Sequence, residues 1–234
     1  MRGLAAVLLT MAALHAADPS SHAPTSEEIV SRLVAADDAR AQKLRDYSSI
    51  RRYSLENKRF GVKASLTARV TYRYPGVKQY EILAESGPGA IRNKVFKRML
   101  DTEIRASQGN GRTDTRISPQ NYDFQLLGIS TCEGRPCYEL SAAPKTNNPL
   151  LFRGRIRVDA EDYAVAHIDG EPAQNPSFWL RKTTIAHRYA KFGAFWLPVA
   201  NQSGSDVTVF GHTDVRIEYG EYWINEGDAQ RPGN

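Results

Sequence analysis

Both cysteines of this chain, Cys132 and Cys137, lie in the stretch CEGRPCYEL. Thiols that close can serve as a redox centre, half a metal site or a covalent staple. The spacing is not the C-x-x-C of thioredoxin-like proteins, and no helix is expected to begin at Cys132 and lower its pKa. A zinc site needs a second pair of ligands at suitable spacing, and none is visible, so no metal is expected. The intervening Glu133-Gly134-Arg135-Pro136 reads as a four-residue hairpin turn that makes the two cysteines near-opposite. Cross-strand Cβ atoms lie about 4.5–5.5 Å apart, and local twist brings them to the roughly 3.8 Å of a disulfide. A structural Cys132–Cys137 disulfide is the expectation, with free thiols as the alternative.

Other chemistry finds less support. His167, His187 and His212 fall on three separate predicted strands, without an H-x-H or H-x-x-x-H pair. There is no G-x-S-x-G elbow, and Ser203-Gly204-Ser205 reads as a polar turn. Asp159, Glu161 and Asp162 cluster at a predicted turn, where acidic residues are common for local reasons. Acid–base catalysis needs an enclosed pocket instead. Gly109-Asn110-Gly111 lacks the Lys-Ser/Thr and the helix of a phosphate-binding loop. The expectation is a protein without catalytic residues or cofactor, hence not an enzyme.

The elements that would position a binding site are easier to read. The chain opens MRGLAAVLLTMAALHAADPSS, with Arg2, a short apolar run and small residues at Ala16 and Ala17. This is a secretory signal peptide in outline, expected over 1–17. Export supplies the oxidising compartment that a disulfide requires. A linker at 18–25 and a flexible tail at 225–234 are expected to flank one domain over 26–224. Formal charge is +5, and residues 40–116 hold 18 Lys and Arg against seven Asp and Glu. Export and the absence of any ribonucleoprotein or zinc-finger motif argue against nucleic acid. A basic surface can instead meet anionic head groups.

TSEEIVSRLVAADDARAQKLRDY predicts a helix over 26–47, opened by a Thr25–Glu28 capping box. Strict alternation in KASLTARVTYRY (63–74) predicts a strand with one apolar face, ended by Pro75-Gly76 and returning over 77–86. An amphipathic helix is expected over 88–106, with Val95, Phe96, Met99 and Leu100 on its apolar side. From 121 onward only strands are predicted: 122–132, 137–143, 151–159, 163–170, 177–190, 195–203 and 206–224. The sum is an α+β protein with a large, curved antiparallel sheet and two helices. Two arrangements fit: helices and a second sheet layer that close a dry core, or incomplete coverage that leaves an apolar cleft.

The stretch 154–224 resembles the periplasmic outer-membrane lipoprotein-sorting proteins, the LolA-like superfamily, in its soluble, loosely characterised branch. Gly154, Ile156, Val158, Asp159, Gly170, Glu171, Ser177-Phe178-Trp179, Tyr189, Gly193, Phe195-Trp196-Leu197-Pro198, Gly211 and Ile217-Glu218-Tyr219 carry it. Upstream, YEILAESGPGAIRNKVFKRMLDTE and NYDFQLLG with GRPCYEL extend it. The resemblance implies an open, unclosed β-barrel whose helices pack in or over the concave face and hold acyl chains there. The superfamily includes lipid carriers and a periplasmic stress regulator. No lipobox cysteine is present, which suits a soluble shuttle or sensor.

The expected function is therefore an exported, periplasmic carrier of lipid or lipoprotein acyl chains, serving outer-membrane lipoprotein sorting or lipid transfer. The alternative is a periplasmic regulatory or scaffold protein that binds a polypeptide. Alternation nominates Leu66, Val70, Tyr72, Ile82, Ile156, Val158, Val215, Ile217 and Tyr219, with Val95, Phe96, Met99 and Leu100, as the lining. Trp179, Phe195 and Trp196 either line its mouth or fill the core, the latter being the expected role. Expected partners are acyl chains and a membrane-bound donor or acceptor protein; the chain is expected to be a monomer.

Overall fold

The computed structural model describes residues 23–108, 111–175, 180–209, 211–225, 227 and 229–231. The signal-peptide segment and Ser177-Phe178-Trp179 lie outside these residues. Helix α1 spans Ser26–Lys43, and its expected capping box is formed: the Glu28 amide donates to Thr25 Oγ1 at 3.2 Å, and the Thr25 amide donates to Glu28 Oε2 at 2.9 Å. The helix stops short of residue 47. The amides of Arg45 and Asp46 donate to Asn225 Oδ1, while Asn225 Nδ2 donates to the Lys43 carbonyl. A side chain from the far end of the sequence thus ends the helix and starts a strand, β1 (Asp46–Asn57), which the sequence reading did not foresee.

The remaining elements follow in order: β2 (Val62–Arg73), β3 (Val77–Ser86), α2 (residues 89–107), α3 (Gly111–Thr115), β4 (Tyr122–Cys132), β5 (Arg135–Pro144), β6 (Phe152–Asp159), β7 (Val165–Pro172), β8 (Leu180–Phe192), β9 (Phe195–Val207), β10 (Gly211–Ile224) and β11 (Ala229–Gln230). Within α2, Arg92–Lys97 is wound as a π-helix.

Among the described residues, eleven strands form one antiparallel, unclosed sheet in the order β3-β2-β1-β10-β9-β8-β7-β6-β5-β4, with β11 paired to β10 inside the segment expected as a tail. Strands β3 and β4 are the two edges, yet they are consecutive strands in the chain. The connection between them must cross the whole sheet, and α2 and α3 lie on that crossing. This carries α2 over the same face as α1, where its Phe96 and Leu100 are buried against β1, β2 and β10.

Two details shape the sheet. Gly154 and Gly170 face each other across β6 and β7, and a Cβ on either would strike a carbonyl oxygen, of Asp169 or Arg153 respectively. Only glycine permits the strands to approach so closely. The β4–β5 turn has two residues, Glu133 and Gly134, both at positive φ, rather than the four expected. Cys132 therefore pairs with Arg135 and Cys137 with Ser130, so the cysteines are diagonal neighbours. The disulfide between them is formed, at a Cα–Cα separation of 6.0 Å.

Candidate functional site

Residues that share the concave face can be followed strand by strand. One row runs Leu66, Tyr53, Ile217, Asn201, His187, Ile168, Ile156, Leu140, Leu126 across nine consecutive strands. It is apolar at both ends and polar in the middle. The neighbouring rows repeat this, placing Val215, Ser203 and Ile185 together, then Thr213, Ser205 and Thr183.

The apolar flanks are covered by different helices. Ile29, Val30 and Leu33 of α1 pack with Leu140, Leu151, Phe152, Ile156, Val158 and Ile168. Phe96 and Leu100 of α2 pack with Tyr53, Leu55, Leu66, Val70 and Ile217. The nominated lining is thereby divided. Leu66, Val70, Ile82, Val95, Phe96, Met99, Leu100, Val215, Ile217 and Tyr219 share the α2 flank, whereas Ile156 and Val158 lie under α1. Tyr72 stands apart, in a third cluster with Leu44, Phe192, Tyr222 and Ile224, where it stacks on Tyr47. Phe195 joins that third cluster, and Trp196 packs on the disulfide and Ala166.

Between the flanks lies a half-buried strip of Ile185, His187, Asn201, Ser203, Ser205 and Val215. Ser203-Gly204-Ser205 is thus strand, not the polar turn expected. Asn201 Nδ2 donates to the Tyr219 hydroxyl at 2.9 Å, and the Thr183 and Ser205 hydroxyls are 3.1 Å apart. Among the described residues, Asn201 Oδ1 is buried without a hydrogen-bond partner. Burial, helped by nearby His167, pushes the His187 pKa down to about 4, so the ring is neutral.

Where the strip meets α2, a charged cluster forms around buried Arg51, with Glu103 and Lys78 partly buried. Arg51 is 1% exposed; its Nη1 donates to Glu103 Oε2 at 2.7 Å, its Nε donates to Ser49, and its guanidinium lies 4.8 Å over the Tyr219 ring. Lys78 Nζ donates to the other Glu103 oxygen at 2.7 Å. Burial alone would raise the Glu103 pKa, but Arg51 and Lys78 outweigh it and hold the carboxyl near about 2. The sequence reading missed this cluster. Its signal was the alternation of Tyr53 and Leu55, which continues back to Arg51 and Ser49 on the same face.

The other nominated groups lie elsewhere. His212 sits on the convex side between Asp206 (2.8 Å) and Asp214 (3.3 Å). Asp159, Glu161 and Asp162 surround Arg135, with Asp162 also accepting from Lys191 and the Trp196 indole. Among the described residues, no group of three or more His, Cys, Asp or Glu is placed to hold a metal ion. No described helix is long and apolar enough to cross a membrane.

No protein-family model and no curated protein matches the sequence. Several solved structures are similar to this chain. A DUF1329 family protein from Desulfovibrio piger shares 14% identity and a TM-score of 0.45, over 86% of this chain and 94% of that one. A putative outer membrane lipoprotein-sorting protein domain from Vibrio parahaemolyticus shares 11% identity and a TM-score of 0.43, over 84% and 92%. A LolA superfamily protein from Nitrosomonas europaea shares 11% identity and a TM-score of 0.39, over 87% and 94%. All three TM-scores lie below 0.5, and the similarity says nothing of a ligand.

Proposed function

We propose that this protein is an exported, non-enzymatic carrier that binds acyl chains of lipids or lipoproteins between the sheet and α2 in the periplasm. The observation that carries the reading is the α2 flank, where Ile82, Val95, Met99, Val215 and Tyr219 remain only partly buried around the packed centre of Phe96, Leu100 and Leu66. A tail entering there gains roughly 0.8 kcal/mol for each CH₂ removed from water, so no catalytic group is required. Lys94, Arg98 and Arg105 on the exposed side of α2 give the same end of the molecule a positive face.

Native mass spectrometry of the purified protein, followed by titration with a fluorescent fatty-acyl probe, tests this. Bound lipid or saturable probe uptake is expected, and Met99→Trp should reduce it by filling the partly open flank. Lipid-free protein that ignores the probe would overturn the reading. A second reading, a regulatory protein that binds a polypeptide, draws support from edge strand β4, where Leu127 and Ile129 are 50% and 74% exposed. An unpaired edge can accept an extended segment as a further strand. Capture of a defined peptide with no lipid bound would favour it.

A further inference from the structure

A carrier of bare hydrocarbon would be served by an apolar concave face from edge to edge. This sheet is instead interrupted along β8 and β9, where Thr183, His187, Asn201, Ser203 and Ser205 face inward between the two apolar flanks. Ser203 is flanked by Ile185, which packs with the α1 cluster, and by Val215, which packs with the α2 cluster. Hydroxyls at such positions cost stability unless something hydrogen-bonds to them. Asn201 marks the need most clearly, because its amide donates to Tyr219 while its Oδ1 is buried and, among the described residues, unpartnered.

None of these side chains carries a formal charge, since burial keeps the His187 imidazole neutral. Arg51, which lies over the Tyr219 ring beside the strip, is engaged by Glu103, as is Lys78, and Arg40 is paired with Asp37. The strip therefore offers both donors and acceptors but no counter-charge. A carboxylate or phosphate placed on it would lose hydration without an ionic partner. A neutral group with its own hydroxyls and carbonyls would be matched, with its chain directed along the α2 flank.

We propose that the midline strip of Thr183, His187, Asn201, Ser203 and Ser205 is a binding site for the neutral polar junction of an acyl ester or amide. Its cargo is then an acylglycerol-like or acyl-amide compound and not a free fatty acid. This rests on the carrier reading and specifies its ligand.

The test is displacement of a fluorescent acyl probe by a long-chain monoacylglycerol, by the fatty acid of the same chain length and by the corresponding alkane. Wild-type protein is expected to bind the monoacylglycerol more tightly than the alkane, by about fivefold for each hydrogen bond formed. The Ser203→Val/Ser205→Val variant should lose that preference while keeping its affinity for the alkane. Ser203→Ala, with a thermal melt, gives the same comparison if the double variant folds poorly. Equal binding of monoacylglycerol and alkane by the wild type, or tightest binding of the fatty acid, would overturn the inference and leave the carrier standing. A probe that does not bind, together with none of the three compounds found on the protein by native mass spectrometry, would remove both.

Discussion

The half of the sheet under α1 and the half under α2 use the same alternating strands, but they are closed differently. Under α1 the buried contact is apolar: Ile29, Val30 and Leu33 meet Leu140, Ile156 and Ile168, while polar contacts such as Arg32 to Tyr163 and Arg116 to Asp37 and Asp38 stay at the rim. Under α2 the apolar contact of Phe96 and Leu100 is accompanied by a charged triad in which Arg51 is buried and Glu103 and Lys78 partly so, and the helix itself contains a π-helical stretch. Apolar burial is non-directional, so α1 can settle by small shifts without losing its hold. A buried ion pair is directional and strongly destabilising when one partner is removed. The first half is a core; the second is a core with a fastening, placed at the flank that we assign to cargo.

Breaking the fastening is the largest effect to look for. Arg51→Ala removes a cation that is 1% exposed and leaves Glu103 with Lys78 alone. A loss of about 4 kcal/mol in unfolding free energy is expected. Hydrogen exchange should show the change concentrated in 89–107, with the α1 amides following only global unfolding. Equal deprotection of both helices would erase the distinction between the halves.

The region between the halves gives a pH-dependent effect. The His187 pKa is near about 4 in the fold, against 6.5 for an unperturbed histidine. Below pH 6.5 the unfolded chain takes up a proton that the folded chain refuses until about 4, so stability falls with pH across that window. The shift corresponds to a loss of up to about 3 kcal/mol. Glu103, depressed from 4.5 to about 2, contributes stability that is present above 4.5 and lost as pH falls toward 2. Urea titrations of wild type and His187→Asn from pH 7 to pH 4 separate the two groups. The difference between wild type and variant should open below pH 6.5. The variant keeps the opposed contributions of His167, whose pKa is lowered, and His212, whose pKa is raised, and at lower pH those of Glu103, Asp159 and Asp162.

The asymmetry between the halves also explains what the sequence revealed. β2 and α1 were legible because their buried positions are apolar: Ala64, Leu66, Ala68 and Val70 alternate, and Ile29 and Leu33 recur one helical turn apart. β1 was not, because its buried positions are Ser49, Arg51, Tyr53, Leu55 and Asn57, a face on which hydrophobicity reports nothing at three of five sites. The same holds at the end of β9, where Ser203-Gly204-Ser205 read as a turn because its polar composition suits one. Long-range contacts hid the rest. The boundary between α1 and β1 is set by Asn225, and Glu103 meets Arg51 only because the chain crosses from one sheet edge to the other. Of the nominated lining, most falls on the α2 flank, since alternation identifies an inward face but not which helix covers it.

The smallest effect probes the α1 half through its local chemistry. Thr25→Ala deletes the hydroxyl that accepts from the Glu28 amide and dismantles the capping box. Such caps are worth about 1 kcal/mol. Because Ile29, Val30 and Leu33 continue to hold the helix on β4–β7, the loss should appear in the global melting temperature with the α1 amides fraying only at the first turn. Acyl-probe binding should not change, because the cap lies on the helix that we do not assign to cargo. A drop in probe affinity comparable to that of Met99→Trp would mean that α1 also borders the ligand, and the functional division between the two flanks would then fail.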